Sequence, residues 1–127
     1  MKQMALALCV MLGLAPSPVC AAPGDDDLER CHNLGTTMDI SACLDGFTQD
    51  WDRKLNAAYQ KAMAAAEAEA GQQPQLQAAE RAWLTFRKQN CAYYATTSGT
   101  ISRVVGADCL ARMTRDRALE LEEGVRP

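Results

Sequence analysis

Residues 78–91 read AAERAWLTFRKQNC and carry the clearest packing signal of the sequence. Apolar and aromatic positions recur here at steps of three and four, the spacing of one face of an α-helix. We predict a core helix with Trp83 in the middle of the core, Phe86 beside it and Glu80 toward water. The predicted buried stripe consists of Leu76, Ala79, Trp83, Phe86, Asn90 and Tyr94.

The amino terminus has the pattern of an export signal. Lys2 precedes an apolar run over residues 4–14, and Val19 and Ala21 have a size that signal peptidases accept before a cut. The run is shorter than the roughly 20 residues that a helix needs to cross a membrane. We therefore predict a signal peptide over residues 1–21.

Removal of this signal peptide leaves a single helical domain over residues 22–127, periplasmic or secreted and without a stable membrane span. The alternative is a lipoprotein acylated at Cys20. We favour the soluble form, because Ser17-Pro18-Val19 lacks the leucine expected before an acylated cysteine.

The charge of the mature chain argues against a nucleic-acid partner. The full sequence has 13 basic and 16 acidic residues, and loss of Lys2 leaves 12 basic residues and a formal charge of −4. Nucleic-acid-binding domains usually present an excess of basic residues. A cationic protein is the kind of partner that this charge permits.

Four cysteines remain in the mature chain: Cys31, Cys43, Cys91 and Cys109. An even number of cysteines in an exported domain predicts two disulfides. We predict no metal site, because no C-x-x-C pair occurs and His32 is the only histidine.

The helical periodicity predicts an all-α fold. Three helices are expected over residues 37–70, 74–95 and 102–123, in an antiparallel arrangement with a long first hairpin and the third helix packed back over the second. Residues 25–35 are predicted to form a polar arm with at most one helical turn. The inward face of the third helix is predicted to contain Val105, Cys109, Leu110, Met113, Arg117 and Leu121.

The turn between the second and third helices also predicts how the cysteines pair. If the chain reverses near Gly99, Cys91 and Cys109 lie level on neighbouring helices. Cys31 then pairs with Cys43 and fixes the amino-terminal arm to the first helix. Each bridge closes a loop that stabilises the fold by about 3 kcal/mol.

Several short elements occur in a fixed order along the chain: Cys31, Cys43, LNAAY at 55–59, RAW at 81–83, Phe86-Arg87, Cys91, Cys109 and TRDR at 114–117. This order resembles the LprI-type lysozyme-inhibitor family over nearly the whole mature chain. Where family members often have Gln before Arg-Ala-Trp, this chain has Glu80. The resemblance implies an exported all-α domain and inhibition of lysozyme. The signature positions are Leu55, Asn56, Tyr59, Arg81, Trp83, Phe86, Arg87 and Arg117.

The polar members of this signature have a structural interpretation. Asp52, Asn56 and Tyr59 lie on one face of the first helix, at steps of four and three. Antiparallel packing brings them near Arg87, and Arg117 can join them from the third helix. We interpret them as a half-buried network that fixes helix register. An exposed recognition site is the alternative.

The sequence predicts no enzyme and no cofactor. It contains none of the usual hydrolase, metalloprotease or nucleotide-binding motifs. His32, the only imidazole, follows a cysteine expected to be oxidised, and no catalytic residue is assigned.

Two functional hypotheses remain. The first is a lysozyme-inhibitor-like protein that binds c-type lysozyme or another cationic protein through the polar turn Thr96, Thr97, Ser98, Gly99 and Thr100. The second is an envelope structural or assembly protein without activity toward lysozyme. An apolar face left exposed by the packed helices would favour the second hypothesis.

Overall fold

The computed structural model describes residues 21–124, and these residues form helices and turns without any strand. The elements are α1 (Asp25–His32), α2 (Thr37–Ala65), α3 (Gln72–Tyr94) and α4 (Ile101–Glu123). A 3₁₀ turn, Ala66–Ala68, extends α2. The all-α prediction is confirmed, with three long helices close to their predicted bounds. Residues 1–20 of the predicted signal peptide lie outside the described residues, so that prediction stands as made.

The residues at the helix ends explain where α2 and α3 begin. Thr36 caps α2, because its Oγ1 accepts a hydrogen bond from the backbone N–H of Asp39 at 3.1 Å and donates one to the Asp39 carboxylate at 2.7 Å. Gly71 precedes α3 with φ +88°, a left-handed conformation that glycine adopts without strain. Both starts match the predicted positions within two residues.

The predicted polar arm is wrong, because residues 25–32 form a helix of eight residues. Three aspartates occupy its first turn, where they interact favourably with the positive end of the helix dipole. Leu28 and Cys31, one turn apart, are both buried in the core. This apolar pair and the Cys31–Cys43 disulfide fix α1 onto the rest of the domain, which therefore has a fourth, short helix.

The core lies mainly between α2 and α4, which form the most extensive helix pair among the described residues. The α2 side of this core consists of Leu44, Phe47, Trp51 and Leu55, and the α4 side consists of Val104, Ala107, Ala111 and Ala118. Alanines allow two helix backbones to approach closely. The prediction that α4 packs over α3 holds, but the packing of α4 along α2 is more extensive and was not predicted.

The helix α3 lies at the edge of this core and is turned from its predicted orientation. Its buried residues are Glu80 and Cys91, and Trp83 is only half-buried. Phe86 is 58% exposed, so its assignment to the buried stripe is wrong, as is the outward assignment of Glu80. Ala79 and Tyr94 of the predicted stripe are also exposed. The tryptophan in the core is Trp51, which is 5% exposed.

Both predicted disulfides are confirmed. Cys31 pairs with Cys43 and Cys91 pairs with Cys109, each with a Cα–Cα distance of 5.4 Å. All four cysteines of the described residues are thereby used in covalent bonds. Over residues 21–124, every helix is too short or too polar to cross a membrane.

Candidate functional site

A polar cluster joins the three long helices where α3 packs against the edge of the core. Arg87 of α3 donates hydrogen bonds from Nη1 to Oδ1 of Asp52 on α2 at 3.1 Å and to Oγ1 of Thr114 on α4 at 2.7 Å. Its guanidinium carbon also lies 4.9 Å from the centre of the Trp83 ring. Thr114 is fully buried, so Arg87 supplies a charged donor to the interior and fixes the register of the helices.

A second arginine pairs with the glutamate that was predicted to face water. Arg117 lies 2.9 Å from Oε2 of Glu80 and 2.9 Å from Oε2 of Glu120. Burial alone would lower the pKa of Arg117, but the hydrogen bonds to Glu120 and Glu80 outweigh burial and raise it. The contact with Arg117 gives the buried Glu80 a charged partner, which accounts for the burial of Glu80 and for the orientation of α3.

The family signature is thus divided between interior and surface. Leu55 is in the core, and the predicted association of Asp52 with Arg87 is present. Arg117 joins the same cluster through the Trp83 ring, 5.9 Å away. Asn56, Arg81 and Phe86 are exposed and Tyr59 is half-buried, without a side-chain hydrogen bond from Asn56 or Tyr59 among the interactions of residues 21–124. The predicted network therefore contains Asp52, Arg87 and Arg117 without Asn56 and Tyr59.

Two ion-pair clusters between α1 and α4 were not predicted. Arg115 is buried and reaches Asp25 at 2.6 Å and Asp116 at 2.9 Å. Asp108 contacts His32 Nε2 at 2.6 Å and Arg112 Nε at 2.8 Å. Burial would raise the pKa of Asp108, but its hydrogen bonds to Arg112 and His32 prevail and lower it. The only histidine therefore helps to attach α1.

The turn between α3 and α4 forms a projecting surface with aromatic residues at its base. Residues 96–100 are exposed, and the Cys91–Cys109 disulfide lies directly behind them. Tyr93 is 70% exposed, its ring centre lies 5.3 Å from that of Tyr94, and Ile101 is also exposed. We call residues 93, 94 and 96–101 the turn surface.

This turn surface holds three of the seven large apolar side chains that are exposed within residues 21–124. The sequence predicted the loop but missed its aromatic base, because Tyr94 was assigned to the core and Tyr93 was not assigned. Two adjacent tyrosines just before a polar turn were the available signal.

Beside the turn surface, α3 and α4 border an open groove of about 450 Å³, which we call the α3–α4 groove. Gly106 allows the helices to approach, since a Cβ at this position would lie 2.9 Å from the Cβ of Ala95. The groove is lined by Leu84, Arg87, Lys88, Cys91, Ala92, Ala95, Gly106 and Leu110.

These features define a small all-α domain held by two disulfides, with exposed aromatic and polar residues at the turn between α3 and α4. Residues 29–121 match the family described as "Lysozyme inhibitor LprI", and the chain belongs to this family. The resemblance seen in the sequence is thereby confirmed.

One relative is a protein of Rhizobium meliloti (strain 1021) described as uncharacterized. It is 29% identical to this chain over 119 residues, which cover 82% of this chain and 86% of that protein. No solved structure matches the chain significantly.

Proposed function

We propose that this protein is an exported binding protein that inhibits c-type lysozyme by protein–protein contact. Membership of the LprI family supports an inhibitor-like function, and the two disulfides suit an oxidising compartment such as the periplasm or the exterior. The structural observation that supports the proposal is the turn surface, where two exposed tyrosines lie next to an exposed polar turn.

The turn surface has the properties of a protein-binding epitope. Tyrosines are frequent among the residues that contribute most to protein interfaces, because they offer a large area with few rotatable bonds. Tyr93 is 70% exposed and Tyr94 is 47% exposed. The Cys91–Cys109 disulfide holds their helix end against α4, so little conformational entropy is lost on binding.

The charge of the domain supports the choice of partner. A mature chain with a formal charge of −4 attracts a basic enzyme, and this attraction weakens as salt is added. The turn itself has no charged side chain over residues 95–102, so its projecting end can enter a cleft without desolvating a charge. Inhibition then requires that the turn block access of the cell-wall substrate to the cleft.

The test is turnover of cell walls by c-type lysozyme in the presence of the purified, oxidised protein over a salt series. Tyr93→Ser should weaken inhibition by at least about tenfold, as expected for loss of a central aromatic contact. Phe86→Ser is the matched control, because Phe86 is an exposed aromatic residue of the same helix that lies outside the turn surface. It should change inhibition by less than about twofold.

The competing hypothesis is an envelope structural or assembly protein. It is favoured by the large apolar side chains that are exposed outside the turn surface, which are Leu34, Met38, Leu84 and Phe86. Full lysozyme turnover at micromolar protein, together with no binding at low salt, would refute the inhibitor proposal. An equal effect of Phe86→Ser and Tyr93→Ser would refute the assignment of the turn surface.

A further inference from the structure

The α3–α4 groove combines an apolar interior with basic side chains at its edge. We propose that it binds a free fatty acid, with the acyl chain in the groove and the carboxylate at Lys88. This ligand site lies beside the turn surface, and the proposal does not depend on the proposed inhibition.

The size and lining of the groove suit an acyl chain. Its volume of about 450 Å³ is within the roughly 300–1,000 Å³ typical of small-molecule sites. Among its lining side chains, Leu84, Leu110 and the alanines are aliphatic. Arg87 and Lys88 are its only charged side chains, so an extended peptide would find few partners for its backbone groups. An acyl chain has no such groups to satisfy.

Few basic side chains of the domain are left without a partner by the fold. Within residues 21–124, Arg81, Lys88, Arg103 and Lys61 take part in neither an ion pair nor a ring contact. The other described arginines pair with carboxylates, and Lys54 lies over Trp51. Unpaired cations are therefore a small and defined set in this acidic domain.

Three of these four unpaired cations belong to the faces that border the groove. Lys88 lines it directly. Arg81 precedes Leu84 by one helical turn on α3, and Arg103 precedes Gly106 by one turn on α4, so each shares a face with a lining residue. No carboxylate lines the groove. An anion with a long apolar tail complements both the charge and the interior.

The experiment is an NMR titration of isotope-labelled, oxidised mature protein with sodium dodecanoate below its micelle concentration. Saturable amide shifts are expected at Leu84, Ala92, Ala95, Gly106 and Leu110. Dodecyl maltoside, which has the chain without the charge, and sodium acetate, which has the charge without the chain, should each bind at least about tenfold more weakly.

Matched charge variants test the role of Lys88 at the edge of the α3–α4 groove. Lys88→Glu should weaken dodecanoate binding by at least about tenfold. Lys61→Glu makes the same charge change on α2, outside the groove lining, and should weaken it less than about twofold. Ala92→Phe places a large side chain in the groove from an exposed position, so it should abolish binding while the thermal midpoint is unchanged.

Four results would each overturn the proposal. They are absence of saturable shifts in the groove, equal affinity for dodecyl maltoside, equal loss of binding in Lys61→Glu and Lys88→Glu, and retained binding in a folded Ala92→Phe. Displacement of dodecanoate by polyglutamate at equal affinity would assign the groove to an acidic protein segment instead and would also overturn it. None of these measurements involves lysozyme, so their outcome is independent of the inhibition assay.

Discussion

Trp51→Ala should lower the unfolding free energy of the domain by about 4 kcal/mol, about twice the effect of Trp83→Ala. Trp51 of α2 is 5% exposed, and its ring packs against Gly24, the residue before α1. Its ring centre is 6.0 Å from that of Phe47, and a Cβ on Gly24 would approach it to 3.1 Å. Gly24 has no side chain to move and Phe47 is itself packed in the core, so neither can fill the space. Trp51→Ala would therefore leave a cavity.

The magnitude follows from the area that the side chain buries. A tryptophan side chain buries roughly 200 Å² when enclosed, which at about 25 cal/mol per Å² corresponds to about 5 kcal/mol. Alanine retains a small part of this area, and the unfolded chain already buries some of it, which leaves about 4 kcal/mol. Trp83 is half-buried and touches the long side chains of Arg87 and Arg117, which can move into the space. We therefore expect about 2 kcal/mol for Trp83→Ala.

Urea unfolding followed by circular dichroism, with both disulfides intact, measures the two values. The slope of the transition should be unchanged in both variants, so that the midpoint shift reports stability. A loss in Trp83→Ala as large as that in Trp51→Ala would refute the reasoning. It would mean that Trp83 is the core tryptophan and that the orientation of α3 is wrong.

Three further outcomes follow from the ion pairs and the disulfides. Glu80→Gln leaves its buried arginine partner poorly matched and should destabilise by about 3 kcal/mol, whereas the exposed Glu120→Gln should stay below about 1 kcal/mol in the same urea assay. The pKa of Asp108 is lowered in the folded state, so its stabilising contribution is present above about pH 4 and is lost as the pH falls through the folded-state pKa. Asp108→Asn should therefore flatten the plot of unfolding free energy against pH in that acidic range. Replacing Cys91 and Cys109 together with serine opens a loop with a sequence separation of 18 and should lower stability by about 3 kcal/mol in calorimetry or urea unfolding, and wild-type stability in that variant would contradict a structural role.

Periodicity and turn residues were sufficient to predict the three long helices, because both are local properties of the chain. Gly71 and the polar residues 96–100 separate the three long helices. A reversal of the chain at Gly99 is enough to place Cys91 beside Cys109. The eight-residue helix α1 was missed because its surface is mostly charged. Only Leu28 and Cys31 mark its buried side, too few positions to reveal a period.

The orientation of α3 could not be predicted from apolar residues alone. Glu80 and Phe86 are six residues apart and therefore lie about 120° apart around the axis of α3. Hydrophobicity favours burial of the face that contains Phe86. The fold instead buries the face that contains Glu80, because Glu80 can pair with Arg117 on α4. Such a pair depends on a residue 37 positions away, which no local pattern reveals.

The same difficulty concealed the inner face of α4. Its predicted inward residues included Cys109 and Met113, which face α3, while Ala107, Ala111 and Ala118 form the contact with α2. Alanine gives a weak hydrophobic signal but permits the closest approach of helices. The turn surface was predicted as a loop, and its tyrosines were missed because aromatic residues were expected inside.

The one-sided packing of α3 also has a consequence for local opening. This helix buries only Glu80 and Cys91, whereas α2 and α4 share the main core. Segments with few buried apolar contacts open at a lower free energy than the global unfolding transition. The Cys91–Cys109 bond holds the carboxyl-terminal end of α3 covalently, whereas at the opposite end Gln73 is attached by a hydrogen bond to the Met63 carbonyl at 2.9 Å. Because a hydrogen bond opens more readily than a disulfide, fraying should start near Gln73 and run toward the disulfide. Amide hydrogen exchange should therefore decrease along α3, and the tethered end that bears the tyrosines should remain the most protected part of the helix.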